Sequence, residues 1–222
     1  MTDGRFANRQ QAGRLLAEEL RKMMLTEPVI LALPRGGVPL GYEVAKALKA
    51  PLDIIMVRKI GAPGHEEYGI GAVVDGASPQ IVIDHDIARM VGAKDAYIQR
   101  EVETQLAEIE RRRAIYRTEP PVPLAGRSVV IVDDGIATGG TVRAALQALT
   151  RSGAAQIILA VPVAPASTLR DLAAMCDQTV CLMTPEPFYA VGAHYAEFGQ
   201  TKDAEVVELL SAAKAWAEPK EN

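Results

Sequence analysis

The chain has 222 residues, 49% of them hydrophobic and 23% charged, with 24 Lys plus Arg against 28 Asp plus Glu for a net charge of −4. This composition excludes a disordered or fibrous chain, and the length suits one domain with an elaboration. The mildly acidic balance argues against a protein that coats a nucleic-acid duplex, which would carry a strong basic excess. No apolar run approaches the roughly 18–20 residues that span a bilayer, and the first ten residues are polar, so a cytoplasmic protein with no membrane partner is expected. The charge is unevenly placed: residues 1–60 carry ten basic and six acidic side chains, whereas 61–126 carry seven and eleven. A local anion site is therefore compatible with the acidic total. Cys176 and Cys181 match neither a zinc pair nor a redox motif and read as reduced structural thiols.

In chain order, short β-branched runs alternate with helical patterns, which predicts βα units around a mostly parallel sheet. A first strand at 30–33 runs into Pro34, Arg35, Gly36 and Gly37 and then a helix over 40–48. A second strand is expected at 54–57. The stretch 58–71, with four glycines, a proline and no periodicity, reads as an exposed, flexible loop. Residues 72–74 and 80–83 form a hairpin pattern. One long amphipathic helix is expected over 94–117, ending before Pro120 and Pro121. The strongest strand is 129–132, a continuous apolar run of the kind covered on both faces. A helix at 142–149, a strand at 156–161, a helix near 169–175 and a strand at 179–182 follow. After an irregular, aromatic segment at 184–201 comes a last helix at 206–216.

The segment from 129 to 141 carries the chemistry. It places two carboxylates, Asp133 and Asp134, at the C-terminal end of a buried strand, where ligands bind in open α/β sheets. Gly135, Ile136, Ala137, Thr138, Gly139, Gly140 and Thr141 follow at a helix start, whose free amides and positive dipole end receive a phosphate. The acids would repel that phosphate, so they must serve something beside it: sugar hydroxyls or a metal ion. Phosphate and ribose together describe a phosphorylated pentose. No Walker P-loop and no dinucleotide fingerprint is present.

This run resembles the 5-phosphoribosyl-1-pyrophosphate (PRPP) signature of the type I phosphoribosyltransferases, and the resemblance extends over most of the chain. It implies a single α/β domain over 1–222, with a central, mostly parallel sheet flanked by helices and a core of about 25–183. It also implies a small hood at 184–201, with the 94–117 helix as an insertion. The same resemblance assigns pyrophosphate to Arg35, Gly36, Gly37, Arg58 and Lys59, with Arg35 and Lys59 also catalytic. The 5′-phosphate falls to 135–141, and the ribose hydroxyls and Mg2+ to Asp133 and Asp134. Segment 58–71, with His65, Glu66, Glu67 and Tyr68, is expected to close over the site. Phe188, Tyr189 and Val191, in a run similar to the Phe-x-Val-Gly stretch of 6-oxopurine enzymes, are assigned to the base, with Tyr195 and Phe198 nearby. Two departures leave the acceptor open. Ala137 stands where those purine enzymes carry an acid, and Pro162, Val163, Ala164 and Pro165 occupy the loop where they carry a basic residue.

The expected activity is transfer of 5-phosphoribose from PRPP to a small nitrogenous base, with release of pyrophosphate, by a homodimer that binds no nucleic acid. The competing readings are a non-catalytic PRPP or nucleotide sensor on the same fold and a PRPP or nucleotide hydrolase. The charged run 108–113 reads as a solvated helix face, with the sharper alternative that Arg112 or Arg113 reaches the site or a neighbouring subunit.

Overall fold

The computed structural model describes residues 4–76, 79–116 and 120–217, leaving aside the side chains of 66, 67 and 217. Five parallel strands form the central sheet: β1 (Val29–Ala32), β2 (Leu52–Ile54), β6 (Ser128–Val132), β7 (Gln156–Val163) and β8 (Gln178–Met183), in the order β2-β1-β6-β7-β8. The remaining strands, β3 (Val57–Ala62), β4 (His65–Val74) and β5 (Gln80–Ile83), make a separate antiparallel sheet.

Strand β6 shows why an unbroken Val/Ile run belongs at the centre. All five of its residues are buried, and alternate side chains enter different cores: Val129 and Ile131 on one face, Val130 and Val132 on the other. Burying each such side chain contributes about 1.5–3 kcal/mol. Helices α1 (Arg9–Leu20) and α2 (Gly37–Leu48) cover one face, and α5 (Gly140–Leu149) covers the other. Two further helices, α4 (Asp95–Tyr116) and α7 (Asp203–Ala217), pack on each other, with α4 also against β3 and β4 and α7 against α2 and β2. The short helices α3 (His85–Met90) and α6 (Ala166–Ala173) complete the chain.

The expectation of an irregular loop over 58–71 is corrected: this segment is the β3–β4 hairpin, turning at Pro63 and Gly64. Register shifts at Ile60/Gly61 and Gly61/Ala62 break the pleat, and glycines dilute the alternation that a strand normally shows. The buried side chains of the two strands serve two cores, Ile60, Ala62, Ile70 and Val73 in one and Ala72 and Val74 in the other. The second predicted strand is split, because β2 ends at Ile54 and the chain crosses to the second sheet at Val57. Helices α1 and α3 were not anticipated. Among the described residues, no helix is long and apolar enough to cross a membrane.

Candidate active site

The C-terminal ends of β1 and β6 are neighbours in the sheet, paired Ala32 to Val132, so the segments leaving them meet. Their contact is close. A Cβ on Gly37 would lie 2.5 Å from the Val132 carbonyl oxygen and 3.1 Å from the Asp133 Cα, and one on Gly36 would lie 2.6 Å from the Asp134 Cγ. Only glycines let the turn after β1 rest on the two acids. The Gly37 amide donates to the Leu33 carbonyl (3.0 Å), so the amides of this turn without an acceptor among the described residues are those of Arg35 and Gly36 rather than the expected Gly36 and Gly37.

Asp133 accepts a hydrogen bond from the Asp134 amide (2.8 Å) and has no cationic partner among the described residues. Burial, then the charge of Asp134, pushes its carboxyl well above the ordinary range. Asp134 is also raised by burial, against the opposing effect of Arg9. The Arg9 guanidinium places Nε at 2.9 Å and Nη2 at 2.7 Å from the same oxygen, Oδ2. Arg9 was missed by the sequence reading, since no local pattern announces an ion pair across 125 positions.

Beyond the acids, the Ile136 amide donates to the Val163 carbonyl (2.9 Å), tying the turn to β7. The amides of Ala137, Thr138, Gly139, Gly140 and Thr141 find no acceptor among the described residues. They open at the N-terminus of α5 with the exposed Thr138 beside them, an arrangement suited to an anion. Lys59 on β3 reaches this point, its Cε 3.8 Å from where a Gly140 Cβ would stand. Arg58, on the opposite face of the strand, instead donates through Nε to Gln105 on α4 (3.0 Å) and is not brought to the site.

Arg35 leans toward α7, with Nη1 3.5 Å from Asp203 Oδ1. The Tyr116 hydroxyl donates to the same Asp203 oxygen, and this bond together with Arg35 holds Asp203 below the usual carboxylate range. Burial and the same bond push Tyr116 up to about 12. Arg112 and Arg113 do not reach the site: Arg112 pairs with Glu108, and Arg113 with Glu110 and Asp75.

In the hood, Val191 closes over Gly135, whose φ of +154° and 2.5 Å clearance to Val191 Cγ1 both demand glycine. Phe188 is half-buried and stacks on His194 with centroids 5.4 Å apart, while Tyr189 is 82% exposed. Tyr195 is buried, and its hydroxyl donates to the Asp134 carbonyl (2.6 Å), so it belongs to the frame of the acid pair. His65 and Tyr68 line a cleft of about 1040 Å3 with Tyr97 and Glu101, which contains none of the motif residues. The side chains of Glu66 and Glu67 lie outside the described residues.

Residues 7–192 match the family model of the phosphoribosyl transferase domain. The chain is 44% identical over 209 residues to a Mycobacterium tuberculosis protein named "Putative phosphoribosyl transferase Rv0571c", covering 94% of this chain and 47% of that protein. It thus spans about half the length of that curated relative. The crystal structure of TT1426 from Thermus thermophilus superposes with a TM-score of 0.81 at 40% identity, covering 96% of this chain and all of that one. A "Bifunctional protein PyrR" from Synechocystis is 29% identical over 151 residues, which is 68% of this chain and 64% of that protein. With most of its length matched and the signature loop, acid pair and glycine turn assembled at the C-terminal ends of two neighbouring strands, the chain belongs to the phosphoribosyl transferase domain family.

Proposed function

We propose that the protein transfers 5-phosphoribose from PRPP to a nitrogenous base and releases pyrophosphate. The observation that supports this reading is the convergence of three features: the Arg35–Gly36 turn, the acid pair resting against it, and the unpaired amides of 137–141 with Lys59 alongside. The 5′-phosphate is taken by the amides of 137–141 and the Thr138 and Thr141 hydroxyls, which fixes the sugar. The ribose 2′ and 3′ hydroxyls are received at the acid pair, whose negative charge favours the positive charge that grows on the ring as the bond to pyrophosphate breaks. The base nitrogen forms its bond to C1′ from the opposite side, and the electron pair of the broken C–O bond leaves with pyrophosphate. Arg35, Lys59 and the Arg35 and Gly36 amides receive that growing charge.

The donor set fits Mg2+. Asp133 offers hard oxygen donors with no ion-pair partner among the described residues, where no cluster of three or more His, Cys, Asp or Glu side chains able to hold a metal by itself is found. An ion bound by one or two carboxylates with substrate oxygens and water matches magnesium's preference. When bound, magnesium supplies charge neutralisation of the pyrophosphate. The test is PRPP, Mg2+ and a panel of nucleobases, with pyrophosphate release followed with and without each base. Base-dependent release is expected. Release without any base identifies a hydrolase, and PRPP binding without release under every base identifies a sensor. Absence of any thermal stabilisation by PRPP refutes the PRPP site altogether.

A further inference from the structure

We propose that Arg9 is a positioning residue of the PRPP site, locking Asp134 into the frame that joins the pyrophosphate turn to the hood and leaving Asp133 as the carboxylate that meets ribose and metal. This inference rests on the function proposed above. Arg9 opens α1, whose N-cap Asn8 accepts the Gln11 amide (2.9 Å) and whose buried face, including Ala12, Leu16 and Leu20, anchors it to the core. Its side chain is 12% exposed and that of Asp134 15%, so the ion pair is largely withdrawn from water.

Both donors fall on Oδ2, and the backbone of Gly36 stands against that same oxygen from another direction. The oxygen is therefore walled between a guanidinium and the pyrophosphate turn. The third nitrogen, Nη1, donates to the Gly199 carbonyl (2.6 Å), and the guanidinium carbon lies 4.0 Å from the centroid of the Phe198 ring. Phe198 packs on Tyr195 with centroids 5.0 Å apart, and Tyr195 returns to the Asp134 carbonyl. The circuit Asp134–Arg9–Phe198–Tyr195–Asp134 is closed, and it joins residues from the chain's beginning, middle and end. Lysine could supply the charge but not the planar fork that reaches a carboxylate, a carbonyl and a ring together.

Electrostatics points the same way. Two adjacent half-buried carboxylates would present two negative charges to a ligand bearing phosphate and pyrophosphate, and the Arg9 guanidinium offsets one of them. Asp133 makes no such ion pair among the described residues, which leaves its oxygens to the ribose hydroxyls and the ion.

The test uses the whole chain and four variants: Arg9→Gln, Arg9→Lys, Asp134→Asn, and the Arg9→Gln/Asp134→Asn double variant. PRPP with Mg2+ is titrated by thermal shift, and KM and kcat are measured for the base that turns over. Arg9→Gln is expected to raise the PRPP midpoint and KM by roughly tenfold or more, with kcat changing by less than about threefold, as a misplaced binding frame that weakens ground and transition state equally requires. Arg9→Lys recovers part of that loss. The double variant binds no worse than Arg9→Gln alone, because the two residues act as one unit. It also guards against a folding artefact, since removing both partners leaves no buried charge unpaired. If wild type responds to PRPP and Arg9→Gln responds at the same concentration, or the two losses simply add, the proposal is overturned while the functional reading stands. A wild type that PRPP does not stabilise overturns the functional reading and this proposal with it.

Discussion

Replacing Gly36 with alanine sets two physical effects against each other with opposite signs. The residue has φ −59° and ψ −35°, a conformation that alanine adopts freely. Reduced entropy of the unfolded chain alone would therefore stabilise Gly36→Ala by about 0.4–1 kcal/mol. The added methyl, however, would stand 2.6 Å from the Asp134 Cγ and closer still to Oδ2. Asp134 cannot yield cheaply, since two Arg9 nitrogens hold the carboxylate and Tyr195 holds its backbone carbonyl. Forcing a methyl into a packed site costs about 1–3 kcal/mol, and giving up the buried ion pair would cost up to about 3–5 kcal/mol. The clash wins, and a net destabilisation of about 1–2 kcal/mol is expected in urea unfolding at an unchanged m value. The penalty shrinks in an Arg9→Gln background, where the carboxylate is free to swing aside. A Gly36→Ala protein as stable as wild type, or more so, would refute this account of how the pyrophosphate turn sits on the acids.

Asp133→Asn should raise the melting temperature of the ligand-free protein at pH 7 while abolishing its thermal response to PRPP. A carboxyl whose folded-state pKa is raised contributes stability below its unfolded value near 3.8 and loses it as pH rises through the folded value, so the ionised group is a burden at neutral pH. Lys59→Met, at an exposed position on β3, should leave urea stability within about 0.5 kcal/mol of wild type yet lower pyrophosphate release by roughly 10–100-fold. Glu108 is lowered to about 2 by hydrogen bonds from Arg111 and then Arg112. Its contribution is present above about 4.5 and lost as pH falls toward 2, so the melting-temperature gap between wild type and Glu108→Gln should close across that interval.

The parts of this fold that were legible in the sequence are those whose signal is local. The run at 129–132 announced a strand covered on both sides, and β6 is buried throughout. The long helix, expected at 94–117, spans Asp95–Tyr116 with Val102, Ile109 and Tyr116 buried at intervals of seven. The hairpin pattern at 72–74 and 80–83 is the β4–β5 pair, but the β3–β4 hairpin was not legible, because the glycines that permit its bulge and turn are the residues that mimic a loop. Nor was the frame of the acid pair. Tyr195 and Phe198 looked like part of an aromatic platform for a base, whereas Tyr195 is tied to Asp134 and Phe198 lies under Arg9. Asp134 was recognised from its motif, but its counter-ion is set by tertiary structure alone, like the turning of Arg58 toward Gln105 rather than toward phosphate.

The uneven charge of the sequence has a structural basis that can be tested. Of the cations in 1–60, Arg9 pairs with Asp134 and Lys59 stands beside the phosphate-binding amides, while Arg35 leaves the turn that rests on the acids and leans toward Asp203. Several acids of 61–126 pair within their own region: Glu108 holds Arg111 and Arg112, while Glu110 and Asp75 share Arg113. Arg111, Arg112 and Arg113 of α4 are therefore spent on neighbouring carboxylates and contribute little field at the anion site, where exposed pairs are in any case screened over about 8–10 Å. Arg111→Gln should leave the PRPP midpoint in a thermal-shift titration within about twofold of wild type, although it removes the same formal charge as Arg9→Gln or Lys59→Met. If all three variants weakened PRPP equally, the net charge of the molecule rather than the placement of three side chains would govern binding, and the site described above would lose its physical basis.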